Sequence, residues 1–216
     1  MQAKTLLVTR PNHDLITNYL FYWAVLVVKL AKRKGFKILD LSGTKANYRA
    51  FVSYVKKHHP KLVFLNGHGS ADAITGYGNE IIIQVNLNDN LLKGSIVYAR
   101  SCDAASILGK TSVRNGTAAF VGYKKKFILC YSPSKITKPL SDEVAILFLE
   151  PSNLIPISLI KGNIVEAAYQ KSQNAMRSNF WFMLSTKAAQ NQKDSAPYLW
   201  ANRKNQVLLG NPDAKL

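Results

Sequence analysis

The stretch "KLVFLNGHGS" (61–70) decides the fold that this sequence predicts. Its apolar run follows His59-Pro60 and ends at glycine, which is typical of a short buried strand. The run leads into His68, which stands between Gly67 and Gly69. Glycines at these positions permit a tight turn and the close approach of another chain, and they leave backbone N–H groups accessible. A second run, "IVYARSC" (96–102), has the same design with a cysteine at its end.

Further apolar runs alternate with helical patterns along the whole chain. Such an alternation predicts βαβ units, and hence a mostly parallel sheet covered by helices on both faces. No change of composition indicates a second domain, so one domain over residues 1–216 is expected. Strands are predicted over 4–10, 36–41, 61–66, 80–85, 95–100, 118–123 and 205–210, and helices over 13–34 (with Asn12 as N-cap), 48–59, 104–116, 141–149 and 163–189 (with Asn163 and Glu166 as a capping box).

The composition excludes several classes of site. Two cysteines do not make a disulfide framework, and without C-x-x-C or H-x-x-x-H no metal site is expected. "GHGSAD" (67–72) matches only the start of a dinucleotide fingerprint and follows the wrong strand, so no cofactor is expected. The most apolar run, "YLFYWAVLVV" (19–28), suits a buried helix better than a membrane span. A cytoplasmic protein without a transmembrane segment is the resulting expectation.

The charge balance is strongly basic. The chain has 29 Lys and Arg against 12 Asp and Glu, a formal net charge of +17. Such a surface attracts nucleic acid or an acidic partner, although scattered lysines are equally typical of an ordinary solvated surface. No nucleic-acid motif accompanies them, so nucleic acid remains an alternative partner.

His68 and Cys102 are the candidate reactive residues. In open α/β sheets functional residues collect beyond the carboxyl ends of the strands, and each of these residues follows a predicted strand. If the two strands are neighbours, their ends lie about 5 Å apart. Cys102 also precedes the predicted helix 104–116, whose N-terminus would favour the thiolate. A cysteine beside an imidazole predicts a nucleophile paired with a base.

Elimination favours His68 as the base. His58 and His59 end a helix that returns to the amino end of the sheet, which is the opposite edge. His13 follows the first strand at the correct edge and remains the runner-up. Cys130 has no histidine nearby in the sequence and is interpreted as a packing residue.

The sequence at this point resembles the caspase-like (clan CD) cysteine peptidases, with the gingipain and CHAT branches nearest. The resemblance rests on an apolar strand running into His-Gly, here "LVFLNGHGS" (62–70), and a later strand running into Ser-Cys, here "IVYARSC" (96–102). Supporting matches are "NIVEAAYQKSQNAM" (163–176) and "LLGNPDAKL" (208–216), in which Asn211 replaces the usual Asp. The resemblance covers about residues 5–216.

The resemblance implies a three-layer caspase-haemoglobinase-like fold with about six strands, and a cysteine endopeptidase. His68 would be the base or acid, Cys102 the nucleophile, and the N–H groups of Gly69 and Cys102 the oxyanion hole. Peptide or protein would be the substrate, cut on the carboxyl side of one preferred residue. A separate regulatory or activating protein is a further expected partner. The alternative function is a latent or inactive caspase-like module that binds nucleic acid or an acidic partner through its basic surface.

The resemblance leaves the residue preference open. Some basic-specific members place an acid two positions before the cysteine, where this chain has Arg100. Arg100 departs from that pattern and would favour an acidic residue instead. The other candidates for the substrate pocket are Ser70 in the loop 70–79 and four acidic residues, namely Asp40, Asp72, Asp103 and Asp142.

Overall fold

A six-stranded sheet forms the centre of the protein, which is described here from a computed structural model for residues 4–216. Five neighbouring strands are parallel, in the order β2-β1-β3-β6-β7, and β8 joins the edge antiparallel to β7. The strands are β1 Thr5–Arg10, β2 Lys37–Ser42, β3 Leu62–Asn66, β6 Ile96–Arg100, β7 Ala119–Tyr123 and β8 Gln206–Gly210. A small antiparallel pair, β4 Ala73–Thr75 and β5 Ile81–Gln84, lies outside this sheet. Each predicted strand is confirmed to within one residue at either end, and β4 was not predicted.

Helices cover both faces of the sheet, so the predicted three-layer α/β fold is confirmed. Alternate side chains of one strand point to opposite faces, and in β1 Leu6 and Leu7 belong to two different apolar clusters. The cluster around Leu6 includes residues of α1, α4 and α5, and the cluster around Leu7 includes residues of α2 and α3. The helices are α1 Leu15–Arg33, α2 Tyr48–His58, α3 Leu108–Arg114, α4 Ala145–Ile160, α5 Val165–Met183 and α6 Gln190–Asn205.

Helix α1 begins at a capping box that involves Asp14 and not the predicted Asn12. The backbone N–H of Thr17 donates to Asp14 Oδ1 over 2.8 Å, and the backbone N–H of Asp14 donates to the hydroxyl oxygen of Thr17. This helix is 19 residues long, and its most apolar 18-residue window has a mean hydropathy of 1.3. It is therefore long and apolar enough to cross a membrane, by length and composition only. Its buried face, which includes Trp23 and Val27, packs within the protein.

The predicted helix 104–116 is wrong at its start. Residues 102–107 form bends and turns, and α3 begins only at Leu108. The backbone here follows a non-helical path, in which Asp103 N donates to Lys125 O and Ala105 N donates to Tyr123 O. Asp103 has a φ of 56°, in the left-handed region that non-glycine residues rarely adopt. Cys102 is therefore not at a helix N-terminus.

The carboxyl-terminal helices also differ from the prediction. Asn163 caps no helix, because its side-chain amide donates to Ser158 O at the end of α4, and α5 begins at Val165. The predicted helix 163–189 is α5, which ends at Met183, and α6 was not predicted. The predicted helix 141–149 is α4, which continues through Pro151 and Pro156, residues that ordinarily end or kink a helix.

Candidate active site

The ends of β3 and β6 place His68 and Cys102 at the same edge of the sheet. The two strands are paired in parallel, with Asn66 opposite Arg100, so the condition on which the sequence argument depended is met. His68 and Cys102 each lie two residues beyond that matched pair. A Cβ atom at Gly69 would lie 2.7 Å from the carbonyl oxygen of Cys102 and 2.9 Å from Ser101 Cβ. The backbones of the two loops are thus in direct contact.

Glycine is required on both sides of His68. Gly67 has a φ of 153°, and a Cβ there would lie 2.1 Å from the carbonyl oxygen of Thr75 on β4. The loop pairs with β4 through two bonds that flank Gly69, since Thr75 N donates to His68 O and Ser70 N donates to Ala73 O, both over 2.9 Å. N–H groups alternate in direction along an extended chain. The N–H of Gly69 therefore points away from β4.

His68 is held by Asp14, which sequence reasoning missed. Nε2 of His68 lies 2.6 Å from Asp14 Oδ2, and the two side chains are 40% and 36% exposed. Burial alone would raise the pKa of Asp14, but hydrogen bonds from the Thr17 amide, from His68 and from the Thr17 hydroxyl together lower it. A carboxylate only accepts hydrogen bonds, so Nε2 of His68 carries the proton and Nδ1 carries the lone pair. The signal for Asp14 was the pattern D-x-x-T (14–17) directly after the first strand.

Cys102 is a partly buried thiol. Its Sγ donates to the carbonyl oxygen of Phe127 over 3.7 Å. Burial raises the pKa of the Cys102 thiol, the carboxylate of Asp103 adds to this rise, and the ammonium group of Lys126 opposes it. The expected stabilisation of the thiolate by a helix N-terminus is wrong, because α3 begins six residues later. The resting side chain is the neutral thiol.

His13, the alternative base, meets the same carboxylate from the other side. Its Nε2 lies 3.4 Å from Asp14 Oδ2 and 3.2 Å from Asn79 Oδ1. The ring makes edge contacts with Tyr77, at 5.4 Å between centroids, and with His68, at 6.0 Å. Donor atoms of His13, Asp14 and His68 all lie within 4.8 Å of one another, so these three residues have the arrangement of metal ligands. Sequence spacing gave no sign of this, because the two histidines follow different strands.

Arg100 is part of the core, which corrects its expected place in a substrate pocket. Its side chain is fully buried and has 0% exposure. The guanidinium donates to three acceptors, namely Asn66 Oδ1, Asn153 Oδ1 and the Leu20 carbonyl oxygen, at 2.9–3.2 Å. Burial lowers the pKa of Arg100 to about 10. Arg100 joins the end of β6 to the end of β3 and to α4, beneath the two loops.

Two further pocket candidates are engaged elsewhere. Asp142 is 1% exposed and accepts hydrogen bonds from Tyr19 and from the amides of Ser132, Val144 and Ala145. Asp40 forms an ion pair with Arg10 at 2.6 Å, and β1 and β3 separate its strand from β6. The structure therefore does not bring Asp142 or Asp40 to Cys102.

The remaining pocket candidates lie in the loops around Cys102. Ser70 is exposed, and its hydroxyl donates to Asp72 Oδ1 over 2.6 Å. That bond and another from Gln84 lower the pKa of Asp72. Asp103 borders a concave surface beside Cys102, whose other lining residues are Lys124, Lys125, Lys126, Ile128 and Asn205.

The fold is similar to that of solved cysteine proteinases. The Arg-specific cysteine proteinase gingipain R (RGPB) superposes with a TM-score of 0.62 at 11% identity over 99% of this chain. The complex of the Porphyromonas gingivalis RgpB pro- and mature domains gives 0.61 at 11% identity over 99% of the chain. A third structure, described only as a protease, gives 0.54 at 12% identity over 98%.

This chain spans about half of each neighbour, since it covers 47–48% of their lengths. No protein-family model matches the sequence, and no curated protein matches it. The likeness is therefore one of three-dimensional structure at low sequence identity. The mixed α/β architecture, with its six-stranded and mostly parallel sheet, is the caspase-like fold of the gingipain neighbours.

Proposed function

We propose that the protein is a cysteine endopeptidase in which Cys102 is the nucleophile and His68 the base. The observation that carries the proposal is the contact between two neighbouring strand ends, where Gly69 touches the backbone of Cys102. A thiol and an imidazole that follow adjacent parallel strands share one small region of the sheet edge. The likeness to gingipain R supports the choice of reaction.

Asp14 is the positioning residue in this proposal. Its carboxylate takes the Nε2 proton of His68 in a 2.6 Å hydrogen bond. This bond fixes the tautomer in which Nδ1 is the basic nitrogen, and it would stabilise the imidazolium that forms when His68 accepts a second proton. His68 therefore enters the reaction with its orientation and its tautomer already set.

The proposed reaction is acyl transfer to sulfur followed by hydrolysis. His68 Nδ1 removes the proton from Cys102 Sγ, and the sulfur attacks the carbonyl carbon of the scissile peptide. The C–N bond breaks as His68 returns the proton to the departing amine, which leaves a thioester on Cys102. A water molecule, deprotonated by His68, then attacks the thioester, releases the acid and restores the thiol.

Two backbone N–H groups are available for the oxyanion of the tetrahedral intermediate. Within residues 4–216 as described, neither Gly69 N nor Cys102 N donates a hydrogen bond. The N–H of Gly69 points away from β4, on the strand-end loop that contacts Cys102. Unpaired donors beside the nucleophile are what an oxyanion hole requires. These two amides are the groups we propose for it.

The surroundings of Cys102 favour an acidic side chain in the substrate over a basic one. The concave surface beside it has the ammonium groups of Lys124, Lys125 and Lys126 against the single carboxylate of Asp103. Charge complementarity across such a surface selects partners of opposite sign. Ser70 and Asp103 remain the proposed polar contacts, whereas the buried Arg100 positions the strand ends from beneath.

The test is cleavage of a peptide library by the wild type and by the Cys102→Ala and His68→Ala variants. We expect loss of cleavage in both variants, and cut sites that reveal the preferred residue. His58→Ala is the matched control, because this histidine lies at the amino edge of the sheet and its loss should leave cleavage unchanged. Cleavage that survives in Cys102→Ala would refute the proposed nucleophile.

A second candidate function is binding of polyanions at the opposite edge of the sheet. A concave surface there is lined by five lysines, namely Lys4, Lys37, Lys57, Lys61 and Lys215. Burial and the nearby charges of Lys37 and Lys57 lower the pKa of His58 at this surface. Binding there should weaken steeply with salt, because lysine contacts release condensed counterions. It should also survive Cys102→Ala, since this surface is remote from Cys102.

A protein partner that covers the site is the regulatory part of the proposal. One gingipain neighbour was solved as a complex of pro- and mature domains. For this chain we propose a partner segment over the loops that carry His68 and Cys102. Such a partner would suppress both peptide cleavage and alkylation of Cys102.

A further inference from the structure

Two histidines from different strand ends share one carboxylate oxygen. Asp14 Oδ2 lies 2.6 Å from His68 Nε2 and 3.4 Å from His13 Nε2. We propose that His13, Asp14 and His68 form a site for a divalent transition metal of the Zn²⁺ class, and that its occupancy switches the peptidase off. The binding stands on geometry alone, and the inhibition rests on the proposed function.

The spacing of the donor atoms fits such an ion. Zn²⁺ binds imidazole nitrogen and carboxylate oxygen at about 2.0–2.1 Å in a tetrahedral arrangement, which places neighbouring ligand atoms about 3.3 Å apart. The distance of 3.4 Å between His13 Nε2 and Asp14 Oδ2 already has this value. The bond between Asp14 and His68 must lengthen from 2.6 Å when the ion replaces the shared proton. The His68 side chain is 40% exposed and has room to move.

The surroundings hold two of the three ligands in place. Asp14 is fixed by its capping bonds to Thr17, which use Oδ1 and leave Oδ2 free for the ion. The His13 ring contacts Tyr77, and Asn79 Oδ1 lies 3.2 Å from the same Nε2. A water molecule or this amide oxygen can complete the tetrahedron. Asp14 and His13 are therefore already held in place before the ion binds.

The donor set determines which ions bind. Two imidazoles with one carboxylate suit Zn²⁺, Co²⁺, Ni²⁺ and Cu²⁺, whereas Mg²⁺ and Ca²⁺ prefer sites built from oxygen. His13 Nδ1 is buried and has no hydrogen-bond partner among residues 4–216. Ligating histidines ordinarily donate this second N–H, and its loss lowers metal affinity by roughly 10- to 100-fold. We therefore expect a micromolar site, which suits reversible control better than permanent occupancy.

Metal at this site would block the base directly. A neutral imidazole has one lone pair, and on His68 the ion would take it at Nε2. The ring proton must then sit on Nδ1, which can no longer accept a proton from Cys102 Sγ. The ion would also occupy the oxygen of Asp14 that orients His68. Inhibition therefore follows because Nδ1 of His68 is already protonated, and it does not require the ion to contact the thiol.

The binding test uses the Cys102→Ala variant, so that the thiol cannot be a ligand. Calorimetric titration with Zn²⁺, and Co²⁺ absorption, should show one ion per chain. His13→Gln in the same background should weaken binding by at least tenfold. His58→Gln with His59→Gln is the matched control at the other edge, and it should leave binding unchanged. Absence of binding to Cys102→Ala, or equal binding by the His13→Gln variant, would overturn the proposal.

The activity test measures peptide cleavage against free Zn²⁺, each variant relative to its own metal-free rate. The wild type should lose activity at micromolar Zn²⁺ and recover it with a chelator, and His13→Gln should need at least tenfold more Zn²⁺. Equal sensitivity in the two proteins would mean that Zn²⁺ acts at the thiol, and would refute the switch. Zn²⁺ binding by a protein that cleaves no peptide even without metal would refute the proposed function and leave the metal site standing.

Discussion

The two halves of the candidate site are prepared to different degrees. On the β3 side, His68 is bonded to the capping residue of α1, whose pKa is lowered by the same bonds. On the β6 side, Cys102 is a partly buried thiol whose pKa is raised, and no helix begins at it. The proposed base is held in place by hydrogen bonds, whereas the proposed nucleophile is not activated.

This difference teaches where activation would occur. A preformed thiolate would require a nearby positive charge or helix N-terminus. Here the carboxylate of Asp103 adds to the effect of burial, so the neutral thiol is favoured at rest. In the proposed mechanism, the proton of Cys102 would therefore pass to His68 during the reaction with substrate. A thiol that stays neutral until then is also protected from oxidation and alkylation.

Gly69→Ala should have the largest effect on activity, because it attacks the contact between the two halves. A Cβ there would lie 2.7 Å from Cys102 O and 2.9 Å from Ser101 Cβ, and both loops would have to shift. We expect kcat/KM to fall by about 10²–10³-fold, the usual loss for one oxyanion donor. Gly78→Ala is the control, since it has open space within 4 Å and only its positive φ is strained. Nearly full activity in Gly69→Ala would break the account of the oxyanion hole.

Arg100→Met should have the next largest effect, measured as stability. The substitution leaves Asn66 Oδ1, Asn153 Oδ1 and Leu20 O without their donor in a buried region. Unpaired buried acceptors cost about 1–3 kcal/mol each, so the free energy of unfolding should fall by about 3 kcal/mol or more. Denaturant unfolding measures this, with a substitution of the exposed last residue of α3, Arg114→Met, as the control. A stable Arg100→Met protein with altered cut sites would return Arg100 to the substrate pocket.

Asp14→Asn should have a smaller effect on activity, and it tests only the side of the site that holds His68. Asparagine is as good an N-cap as aspartate, so α1 should remain while His68 loses its carboxylate. We expect kcat/KM to fall by about 10–100-fold. Thr17→Val removes the capping hydroxyl but keeps the bond from Asp14 to His68, and it should retain most activity.

Because the pKa of Asp14 is lowered, the difference in stability between the wild type and Asp14→Asn should depend on pH. A depressed carboxyl pKa stabilises the fold above the unfolded value of about 4 and loses that effect as the pH falls through the folded value. Wild type should therefore exceed Asp14→Asn in stability at neutral pH and approach it in acid. A difference that grows as the pH falls would contradict the bonded carboxylate.

The smallest expected effect is the alkylation rate of Cys102. A raised pKa leaves less thiolate at pH 7 than a free cysteine has, so iodoacetamide should react several-fold more slowly than with a free thiol. The rate should rise with pH beyond the range in which a free thiol has levelled off. Cys130→Ala provides the background for this measurement, because it removes the second free thiol. Labelling faster than a free thiol would show a preformed thiolate and remove the contrast between the halves.

The sequence predicted the sheet and the strand ends well, for a physical reason. Short apolar runs bounded by glycine and proline have few structural alternatives, and βαβ alternation predicts that most of them are parallel. The adjacency of His68 and Cys102 follows from those runs. A single domain and a cytoplasmic location remain predictions.

What failed depended on partners remote in the sequence. The residues after Cys102 have a helical pattern, but Asp103 adopts a left-handed φ of 56° and its amide donates to Lys125 O. Arg100 was expected in the substrate pocket, but its side chain is bonded to acceptors on β3, α1 and α4. Asp14 gave only a capping signal, and its bond to His68 crosses 54 positions. Tertiary hydrogen bonds of this kind leave no periodic trace.

The most direct test of the central claim is reaction with a library of peptidyl electrophiles, followed by intact mass and peptide mapping. The account predicts rapid labelling at Cys102 in the wild type and in Cys130→Ala, and a fall of at least 10²-fold in His68→Ala. That result would establish substrate-coupled proton transfer from Cys102 to His68. Equal labelling rates in wild type and His68→Ala, or labelling at Cys130, would contradict it.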